Sequence, residues 1–527
     1  MSNKYDVIVI GGGPGGSTSS TLLADAGRNV LLLEREEFPR YHIGESLLSG
    51  TADLLKKIGV LEKVENSGFV KKFGVTWIWG SNREPWTVYF KDALAMPYDF
   101  GYQVERGPFD KLLLDNAREH GVTVLERHRV IGFKQEQGRI VALEYESVET
   151  GTRHIAEANW VIDASGQGGF ITKQLGKRTW DEKLRNMAIW SYWKDAWRPE
   201  GLDAGNTFLP TFDDGWWWYI PLRDNITSIG VVLDQENYAL ALKQGTKEFY
   251  LDAIQRTPEL AKLLESAEIV DEIRVMKDWS YTYDSFFGKG YIAVGDAACF
   301  IDPLFSTGVH LAMLSGFLAA VSLNTILTDP SQSESEVLSF YQEQYYREYN
   351  RLKEQVYFLY GGHNSKESYF WHARNTLDIP NAKPEEAFIT IIAGAYEHRS
   401  WYRRFMNKLE VPTHLKKITD GIFDGESVGS EMVSVSTPLV KSQNWKIKES
   451  FAIDGLQLRP AKVIAFSDGR SLPFTENMSK ILSKTDGQTN SLKLIELCGD
   501  SNEQVKGSIR STINEAITHG VLVSGNV

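Results

Sequence analysis

The sequence predicts an α/β fold in which a Rossmann-like dinucleotide-binding unit is joined to a mixed-sheet region and a helical C-terminal extension. One observation is a short apolar run, residues 5–10, followed at once by the stretch GGGPGGS. A second is that two further apolar runs, in residues 159–169 and 290–312, end in aspartate and small residues. A third is size, because 527 residues that are 42% hydrophobic can bury a large core and form two or three structural units.

The glycine-rich stretch has the spacing of a dinucleotide-binding turn. Gly11, Gly13 and Gly16 fill the pattern G-x-G-x-x-G, which allows a tight turn, close approach to a pyrophosphate and close packing of helix on strand. The helix that follows would aim its first N–H groups at the phosphates. A second apolar run ends in Glu34, where an acid accepts hydrogen bonds from a ribose diol. The residues predicted for this site are Gly11, Gly13, Pro14, Gly15, Gly16, Glu34 and Arg35.

Composition limits the classes of partner. A net charge of −12 argues against binding to nucleic acid or to an anionic membrane. Two cysteines far apart in the chain do not support a disulfide framework or a zinc site, and they fit a reducing cytoplasm. The N-terminus lacks the apolar stretch of a signal peptide, and no run of eighteen apolar residues is evident. We therefore expect a cytoplasmic protein with a small-molecule substrate.

The stretch GWWWYIPL, residues 215–222, places three tryptophans in a row. Because side chains alternate along a strand, Trp216 and Trp218 share one face and Trp217 takes the other, and Pro221 ends the strand. On these residues alone, a strand that packs core on both faces is as good an interpretation as a functional surface.

Further segments indicate which dinucleotide is bound. Asp163, Gly295 and Asp296 end apolar strands, Arg106 lies in QVERGPFDKLLLDNA with Asp110 expected to open a helix, and Glu45 and Ser46 lie in FPRYHIGESLL. Together with the glycine turn, these segments resemble the FAD-binding domain of flavoprotein monooxygenases of the aromatic-hydroxylase type. The elements FPRYHIGESLL, FVKKFG, WWWYIP and DPLFSTGVH narrow the resemblance to the FADH2-dependent halogenases, over roughly residues 1–400.

The resemblance implies a reaction and residues that carry it. In that family, reduced flavin and molecular oxygen form a hydroperoxide, chloride or bromide is oxidised to hypohalous acid, and a buried lysine directs the oxidant to the substrate. Lys72 matches the lysine of F-x-x-K-x-G, with Lys71 as the alternative if the alignment shifts by one. We expect Phe69, Phe73 and Trp77 around the amine. The backbone amides of Thr307 and Gly308 are the expected halide site, with a plain helix cap as the alternative.

The resemblance also implies a role for the tryptophans, as a partition between the flavin and the substrate. The resemblance implies that Trp216, Trp218 and Pro221 fill the space between flavin and substrate, so that the flavin cannot hydroxylate the ring directly. The alternatives are an aromatic hydroxylase and a redox-inactive protein that keeps the fold.

One difference between this chain and the tryptophan halogenases predicts the substrate class. Tryptophan halogenases carry a glutamate where this chain has Phe305, so the chain resembles the branch that acts on phenols and pyrroles, in some cases on a carrier protein. The expected partners are a separate NAD(P)H-flavin reductase and an aromatic substrate. The basic stretch of residues 397–417 is a solvated helix face or a dock for an acidic carrier, through Arg403, Arg404 and Lys408.

The predicted organisation has four parts. Residues 1–330 form the catalytic module, with FAD segments at about 1–75, 100–175 and 285–330 and a substrate-side sheet at about 76–100 and 176–284. Residues 331–427 are a helical region that includes one long helix, and residues 428–446 are a linker or lid. Residues 447–527 are a small module of short strands, two helices and a closing apolar run, which is typical of a winged-helix-like domain.

Overall fold

The computed structural model describes residues 4–79, 84–93, 96–361, 384–393, 438–466, 471–499, 503–518 and 520–524. They form two compact units. The larger unit comprises Met1–Ala373 and Phe388–Tyr396, and the smaller comprises Arg374–Ala387 and Glu397–Val527. The basic stretch predicted as a carrier dock, residues 397–417, lies outside the described residues.

The strands of the larger unit fall into two large sheets and one short pair. In chain order they are β1 (Lys4–Ile10), β2 (Val30–Leu33), β3 (Val70–Lys72), β4 (Gly74–Ile78), β5 (Trp86–Tyr89), β6 (Gly101–Gln103), β7 (Thr123–Leu125), β8 (His128–Glu136), β9 (Arg139–Ser147), β10 (Arg153–Asp163), β11 (Arg178–Lys194), β12 (Thr207–Phe212), β13 (Gly215–Pro221), β14 (Ile226–Leu233), β15 (Glu268–Ile269), β16 (Arg274–Tyr283), β17 (Phe287–Gly288), β18 (Tyr291–Ala293) and β19 (Cys299–Phe300).

The first sheet is the dinucleotide-binding sheet. Its order is β17-β18-β10-β1-β2-β7, with β9 paired to β10 and β8 paired to β9. The strands β18, β10, β1, β2 and β7 run parallel, and the apolar side chains of β1, β2 and β18 are buried because helices cover a parallel sheet on both faces. The carboxyl ends of these strands meet at one edge, where a ligand is expected in an α/β sheet.

The second sheet is mixed and stands beside the first. Its order is β19-β16-β11-β14-β13-β12-β4-β5, with β15 paired to β11. Strand β11 pairs antiparallel with β16 and β14, and β14 pairs antiparallel with β13. In contrast, β12 and β4 pair parallel. A short pair, β3 with β6, brings Lys72 opposite Gly101. The predicted α/β fold with a mixed-sheet substrate region is confirmed.

The helices cover the two sheets, and some of them begin at the cavity that is described below. Those of the larger unit are α1 (Pro14–Asp25), α2 (Ser49–Lys57), α3 (Leu61–Asn66), α4 (Arg106–Glu119), α5 (Thr172–Leu175), α6 (Gln235–Gln244), α7 (Thr246–Gln255), α8 (Pro258–Leu263), α9 (Gly308–Thr328) and α10 (Glu334–Tyr360), with α11 (Pro384–Ile392) joining it from Phe388 onward. Helix α4 begins at Arg106, so the expectation that Asp110 opens this helix is wrong. Asp110 lies one turn in, where it accepts from Arg106.

Helix α9 is the buried core helix of this unit. It packs against α1 and α10, and it is long and apolar enough to cross a membrane by length and composition. However, 83% of its most apolar window is buried inside the fold, as expected for a core helix. Serine, histidine and asparagine interrupt the apolar run of this helix, so it was not predicted from the sequence.

Helix α10 confirms the predicted long helix and shows what its tyrosines do. The hydroxyls of Tyr341, Tyr345 and Tyr349 donate to the backbone oxygens of Ala293, Gly295 and Tyr281. These tyrosines are four residues apart, so they lie on one helix face. The helix therefore holds the loop at the end of β18 in place.

The smaller unit has its own core. Its elements are β20 (Leu439–Lys441), β21 (Trp445–Asp454), β22 (Gln457–Phe466), β23 (Ser471–Pro473), α12 (Glu476–Lys484), α13 (Ser491–Cys498), α14 (Glu503–Thr518) and β24 (Leu522–Ser524). Strands β21, β22 and β23 form an antiparallel sheet, β20 pairs with β24, and Ile464, Leu494 and Ile513 are buried at the centre. Three helices follow the sheet, not the expected two, and β20 lies within the stretch expected to be a linker or lid. The winged-helix likeness stays a prediction.

Candidate functional site

A large cavity lies at the carboxyl ends of the parallel strands. Its volume is about 660 Å³, which is in the range of cofactor sites. Many predicted site residues contribute to its wall, and these are Gly11, Gly13, Pro14, Gly15, Glu34, Arg35, Glu45, Ser46, Arg106, Trp216, Trp218, Gly295, Asp296, Thr307 and Gly308. Four predicted residues lie behind this wall: Gly16, Lys72, Asp163 and Pro221.

The glycine turn has the geometry that a pyrophosphate requires. Gly11 has a φ of +101°, and a Cβ there would lie 2.5 Å from the backbone oxygen of Ala164. A Cβ on Gly16 would lie 2.0 Å from the oxygen of Gly11, so strand and helix pack without room for a side chain. A Cβ on Gly13 would meet only Arg40 Nη2, at 3.8 Å. Gly13 therefore faces open space, and the residues fit a bound dinucleotide.

Glu34 and Arg35 follow β2 at the far side of the turn. Glu34 is 6% exposed, and its carboxyl oxygens accept from the backbone N–H groups of Gly12, at 2.7 Å, and Glu36, at 2.9 Å. These bonds fix the carboxylate at the cavity wall. The Arg35 side chain is largely exposed and pairs with Glu36. Binding of the ribose by Glu34 stays a prediction.

Asp163 shapes the cavity from behind. Its oxygens accept from the Ser165 hydroxyl and from the backbone N–H groups of Ser165, Ile171 and Thr172. The side chain is completely buried. These bonds hold the loop that follows β10, and it is residues of this loop that form the wall.

Asp296 and Arg106 bring opposite charges to the wall. Burial raises the pKa of Asp296 to about 6, while the charge of Arg106 opposes this rise. Arg106 makes a two-pronged ion pair with Asp110, at 2.8 and 2.9 Å, and donates to the backbone oxygen of Ile43. The pair holds the guanidinium rigidly at the start of α4.

The loop before α9 fits the predicted halide site. Thr307 is the N-cap of α9 and Gly308 is its first residue, so both backbone amides belong to the N–H groups that have no partner within the helix. Nothing lies within 4 Å of a Cβ added to Gly308, so the cavity is open at this point. Asp302 caps the preceding turn by accepting from the N–H of Leu304, at 3.0 Å. An anion and the positive end of a long helix are complementary here.

The three tryptophans divide as the alternation predicts. Trp216 and Trp218 face the cavity with ring centroids 6.4 Å apart. Trp217 points the other way into a core cluster, where its ring lies 5.5 Å from that of Tyr250. Opposite Trp218 stands Gly230, where a Cβ would lie 2.1 Å from the indole. The indole thus lies flat on the neighbouring strand, and Pro221 ends β13.

The orientation of both cavity-facing indoles is fixed by hydrogen bonds. Trp216 Nε1 donates to the Tyr360 hydroxyl at 2.7 Å, and Tyr360 donates to Asp302 at 3.1 Å. Trp218 Nε1 donates to Ser228 Oγ at 3.1 Å. Trp216 is therefore linked through Tyr360 to Asp302, in the loop before α9. Sequence reasoning did not find this link, because Tyr360 lies 58 residues from Asp302.

Lys72 and Lys71 differ completely in environment. Lys72 is 1% exposed, and burial lowers the pKa of its amine to about 7. Its Nζ donates to Ser46 Oγ at 2.8 Å and lies 5.4 Å from the centre of the Phe90 ring. The Lys71 side chain is 44% exposed and pairs with Glu65. Phe90 was not expected at the amine, and the expected positions of Phe69, Phe73 and Trp77 around it stay a prediction.

The amine is connected to the cavity through hydroxyls. Ser46 lies at the cavity wall and its Oγ is 3.1 Å from Thr207 Oγ1, which accepts from Gln103 Nε2 at 2.9 Å. Ser46 was predicted as a flavin contact only, and Thr207 and Gln103 were missed. Nothing in the sequence marks them, because each lies on a different strand or loop.

An aromatic cluster fills the region on the far side of Thr207. Trp77 stacks on Trp86 with centroids 5.5 Å apart, and both pack against Phe388. Phe305 lies 5.9 Å from Trp77. Beside these rings is a second, small cavity of about 10 Å³, which is lined by Leu48, Val75, Trp77, Thr207, Leu209, Leu304, Phe305, Ser306 and Ile392.

Comparison with known proteins settles the family. Residues 6–96 and 90–419 match the family described as Tryptophan halogenase. The chain belongs to this family. It is 36% identical to the Tryptophan 2-halogenase of Chondromyces crocatus over 407 residues, which are 75% of this chain and 77% of that protein. It is 38% identical to the Sulochrin halogenase gedL of Aspergillus terreus over 353 residues, which are 62% and 64% of the two chains.

Solved structures of halogenases share the fold. The myxobacterial chondrochloren halogenase CndH is 41% identical with a TM-score of 0.66, over 75% of this chain and 90% of that one. The flavin-dependent halogenase CmlS is 29% identical with a TM-score of 0.77, over 99% and 96%. The chain is a FADH2-dependent halogenase that uses FAD, halide and oxygen. Such halogenases generally take their reduced flavin from a separate reductase and act on a small aromatic substrate.

Proposed function

We propose that this halogenase chlorinates or brominates an electron-rich aromatic ring, and that this ring is a phenol. We also propose that Lys72 delivers the electrophilic halogen. When bound, reduced flavin and oxygen supply the oxidising power that turns halide into hypohalous acid. The chain's own residues hold the halide, separate the flavin from the substrate and position the oxidant. The observation that carries the proposal is the buried amine of Lys72, joined through Ser46 to the wall of the cavity.

The protonation state of Lys72 suits this role. Burial is the cause of its lowered pKa of about 7, so a large part of the amine is neutral at neutral pH. A neutral amine has a free electron pair that accepts an electrophilic halogen or holds hypohalous acid by a hydrogen bond. Ser46 fixes the direction of the amine, because Nζ donates to it at 2.8 Å.

The aromatic cluster that contains Trp77 and Phe305 supports an activated ring as the substrate. The apolar Phe305, 4% exposed, stands where the resemblance places a glutamate in tryptophan halogenases. Loss of a proton from a ring after halogenation needs less help from a base when a phenolic oxygen has already made the ring electron-rich. Flat aromatic neighbours such as Trp77 match a planar ring.

Replacing the lysine tests its role. Lys72→Met keeps the side-chain length and should still consume oxygen with reduced flavin and release hypohalous acid to a thiol trap. Halogenated phenol should fall by about two to three orders of magnitude, because the oxidant loses its orientation at the ring. Lys71→Met is the matched control and should halogenate like the wild type. Full product from Lys72→Met, or swapped phenotypes of the two variants, would contradict the assignment.

A carrier-bound substrate is the finer part of the proposal, and it rests on sequence charge. The basic stretch of residues 397–417 contrasts with the net charge of −12 and suits an acidic carrier domain. Charge reversal of Arg403, Arg404 and Lys408 should slow turnover of carrier-bound phenol and leave turnover of a free phenol unchanged. Equal effects on both substrates, or no effect on either, would remove the docking proposal.

A further inference from the structure

A buried carboxyl group of the cavity wall has no part in the steps above. Glu45 is 3% exposed, and burial raises its pKa to about 7. The hydroxyls of Ser228 and Tyr192 favour its charged form, as does the more distant Arg106, whereas Glu105 opposes it. Oε2 is buried and makes no hydrogen bond within 3.5 Å to any part of the chain that the structure describes. Glu45 is therefore placed to take up and give back a proton at the cavity.

Two tyrosine hydroxyls lead from this carboxyl group to the surface. The Tyr192 hydroxyl donates to Glu45 Oε1 at 2.7 Å and lies 3.0 Å from the hydroxyl of Tyr41. Tyr41 is 50% exposed. Burial raises the pKa of both phenols, so each remains a neutral hydroxyl that can accept one proton and donate another.

The indole of Trp190 determines which of the two tyrosine hydroxyls donates the hydrogen bond between them. Its Nε1 donates to the Tyr41 oxygen at 2.7 Å, and an indole N–H can only donate. The hydrogen of Tyr41 is thereby left for Tyr192, and the hydrogen of Tyr192 points at Glu45. Tyr41, which is half-exposed and also lines the cavity, is the solvent end of this order, and the buried Glu45 is its inner end.

The reaction itself requires a proton from outside. One reduced flavin, one oxygen molecule, one halide ion, one aromatic C–H and one proton give oxidised flavin, the aryl halide and two water molecules. Each turnover thus consumes one proton beyond those carried by flavin and substrate. A bound flavin would fill the cavity, so this proton needs a path through the wall.

We propose that Tyr41, Tyr192 and Glu45 form the path by which this proton enters the flavin cavity. A proton from water binds the Tyr41 oxygen, the O–H bond of Tyr41 breaks as its proton passes to Tyr192, and the proton of Tyr192 passes to the Glu45 carboxylate. The resulting carboxylic acid gives its proton up at the cavity and becomes a carboxylate again. Each hydroxyl then turns about its C–O bond to restore the starting order. The path rests on the halogenase activity and does not depend on the role of Lys72.

Proton exchange at Glu45 tests the path without turnover. The probe is the infrared band of the protonated carboxyl in the full chain with oxidised FAD bound, and the band is assigned by its loss in Glu45→Gln. After rapid mixing with D2O, the band of the wild type should shift quickly. In Tyr192→Phe and in Tyr41→Phe the shift should be slower by about 100-fold, in line with the loss of a positioned proton-transfer group.

Two further comparisons separate a path from a merely structural role. Tyr41→Phe removes a hydroxyl that does not contact Glu45, so a structural effect on the carboxyl would leave its exchange rate unchanged. Tyr145→Phe removes a tyrosine hydroxyl outside the path and should exchange like the wild type. An unchanged circular dichroism spectrum of each variant shows that the fold is intact. Wild-type exchange rates in Tyr41→Phe or in Tyr192→Phe, or no band lost in Glu45→Gln between mildly acidic and neutral pH, would overturn the proposal.

Discussion

At the scale of single residues, the buried amine of Lys72 links function to folding free energy. Burial lowers its pKa from the ordinary value of 10.5 to about 7. Between these values the unfolded chain binds a proton that the folded chain does not bind, so the stability of the fold rises with pH over this window. Below about pH 7 the amine is charged in the folded protein, and the full cost of burying this charge lowers the free energy of unfolding. This cost disappears as the pH approaches 10.5.

A methionine at this position should therefore stabilise the protein. Each pH unit of the window corresponds to about 1.4 kcal/mol, so Lys72→Met should raise the free energy of unfolding by a few kcal/mol at neutral pH. The gain should shrink steadily toward alkaline pH in urea denaturation followed by tryptophan fluorescence. Lys71→Met, at a half-exposed position, should show no such change. A gain for Lys72→Met that is the same at every pH would show that the amine is not desolvated.

Site residues were predictable where a motif spans neighbouring positions, and otherwise were not. The glycines, Glu34, Thr307 and Gly308 could be placed because each depends on a local turn or helix end. Ser46 could be placed at the cavity, but its bond to the Lys72 amine depends on a contact between residues 26 apart in the chain. Long-range hydrogen bonds of this kind leave no periodic or compositional trace.

At the scale of elements, the junction of β1 and α1 shows how local backbone geometry prepares a ligand site. Gly11 needs its positive φ, whereas Gly13 has a φ of −67° and a ψ of −178°, which any residue adopts. The fold does not require the absence of a side chain at Gly13, so we expect that the ligand requires it.

Gly13→Val should consequently fold and fail to bind FAD. The added side chain meets no protein atom closer than 3.8 Å at its Cβ, but it occupies the approach path of the pyrophosphate. We expect FAD affinity to fall at least about 100-fold, equivalent to about 2.7 kcal/mol. Fluorescence quenching of FAD measures the affinity, and circular dichroism checks the fold. Gly507→Val on α14, where nothing lies within 4 Å, should bind FAD normally, and tight FAD binding by Gly13→Val would contradict the placement of the turn.

Element prediction failed where tertiary packing decides the outcome. The alternation of Trp216, Trp217 and Trp218 follows from strand geometry alone and is confirmed. The start of α4 at Arg106 was missed because its ion pair with Asp110, one turn later, holds the first turn in place. The membrane-like hydropathy of α9 was missed because serine, histidine and asparagine interrupt its apolar run, and the fold buries these polar residues with the apolar ones.

At the scale of the whole molecule, two sheets and one long core helix bring distant segments to a single cavity. The parallel sheet supplies the glycine turn and Glu34, and the mixed sheet supplies Trp216 and Trp218. Helix α9 begins at the same cavity with Thr307 and Gly308. The fold class was predictable from the strand–glycine–helix order, but the strand order of the mixed sheet depends on pairings such as β4 with β12, which are far apart in sequence.

The product formed from an electron-rich phenol tests the central claim most directly. The purified chain is supplied with FADH2 by a flavin reductase, with oxygen and with chloride or bromide, and the phenol is analysed by mass spectrometry. The account predicts replacement of a ring hydrogen by halogen, with the isotope pattern of chlorine or bromine, and strict dependence on Lys72. A hydroxylated phenol without halogen would contradict it, because the Trp216–Trp218 partition would then have failed to separate the flavin from the ring.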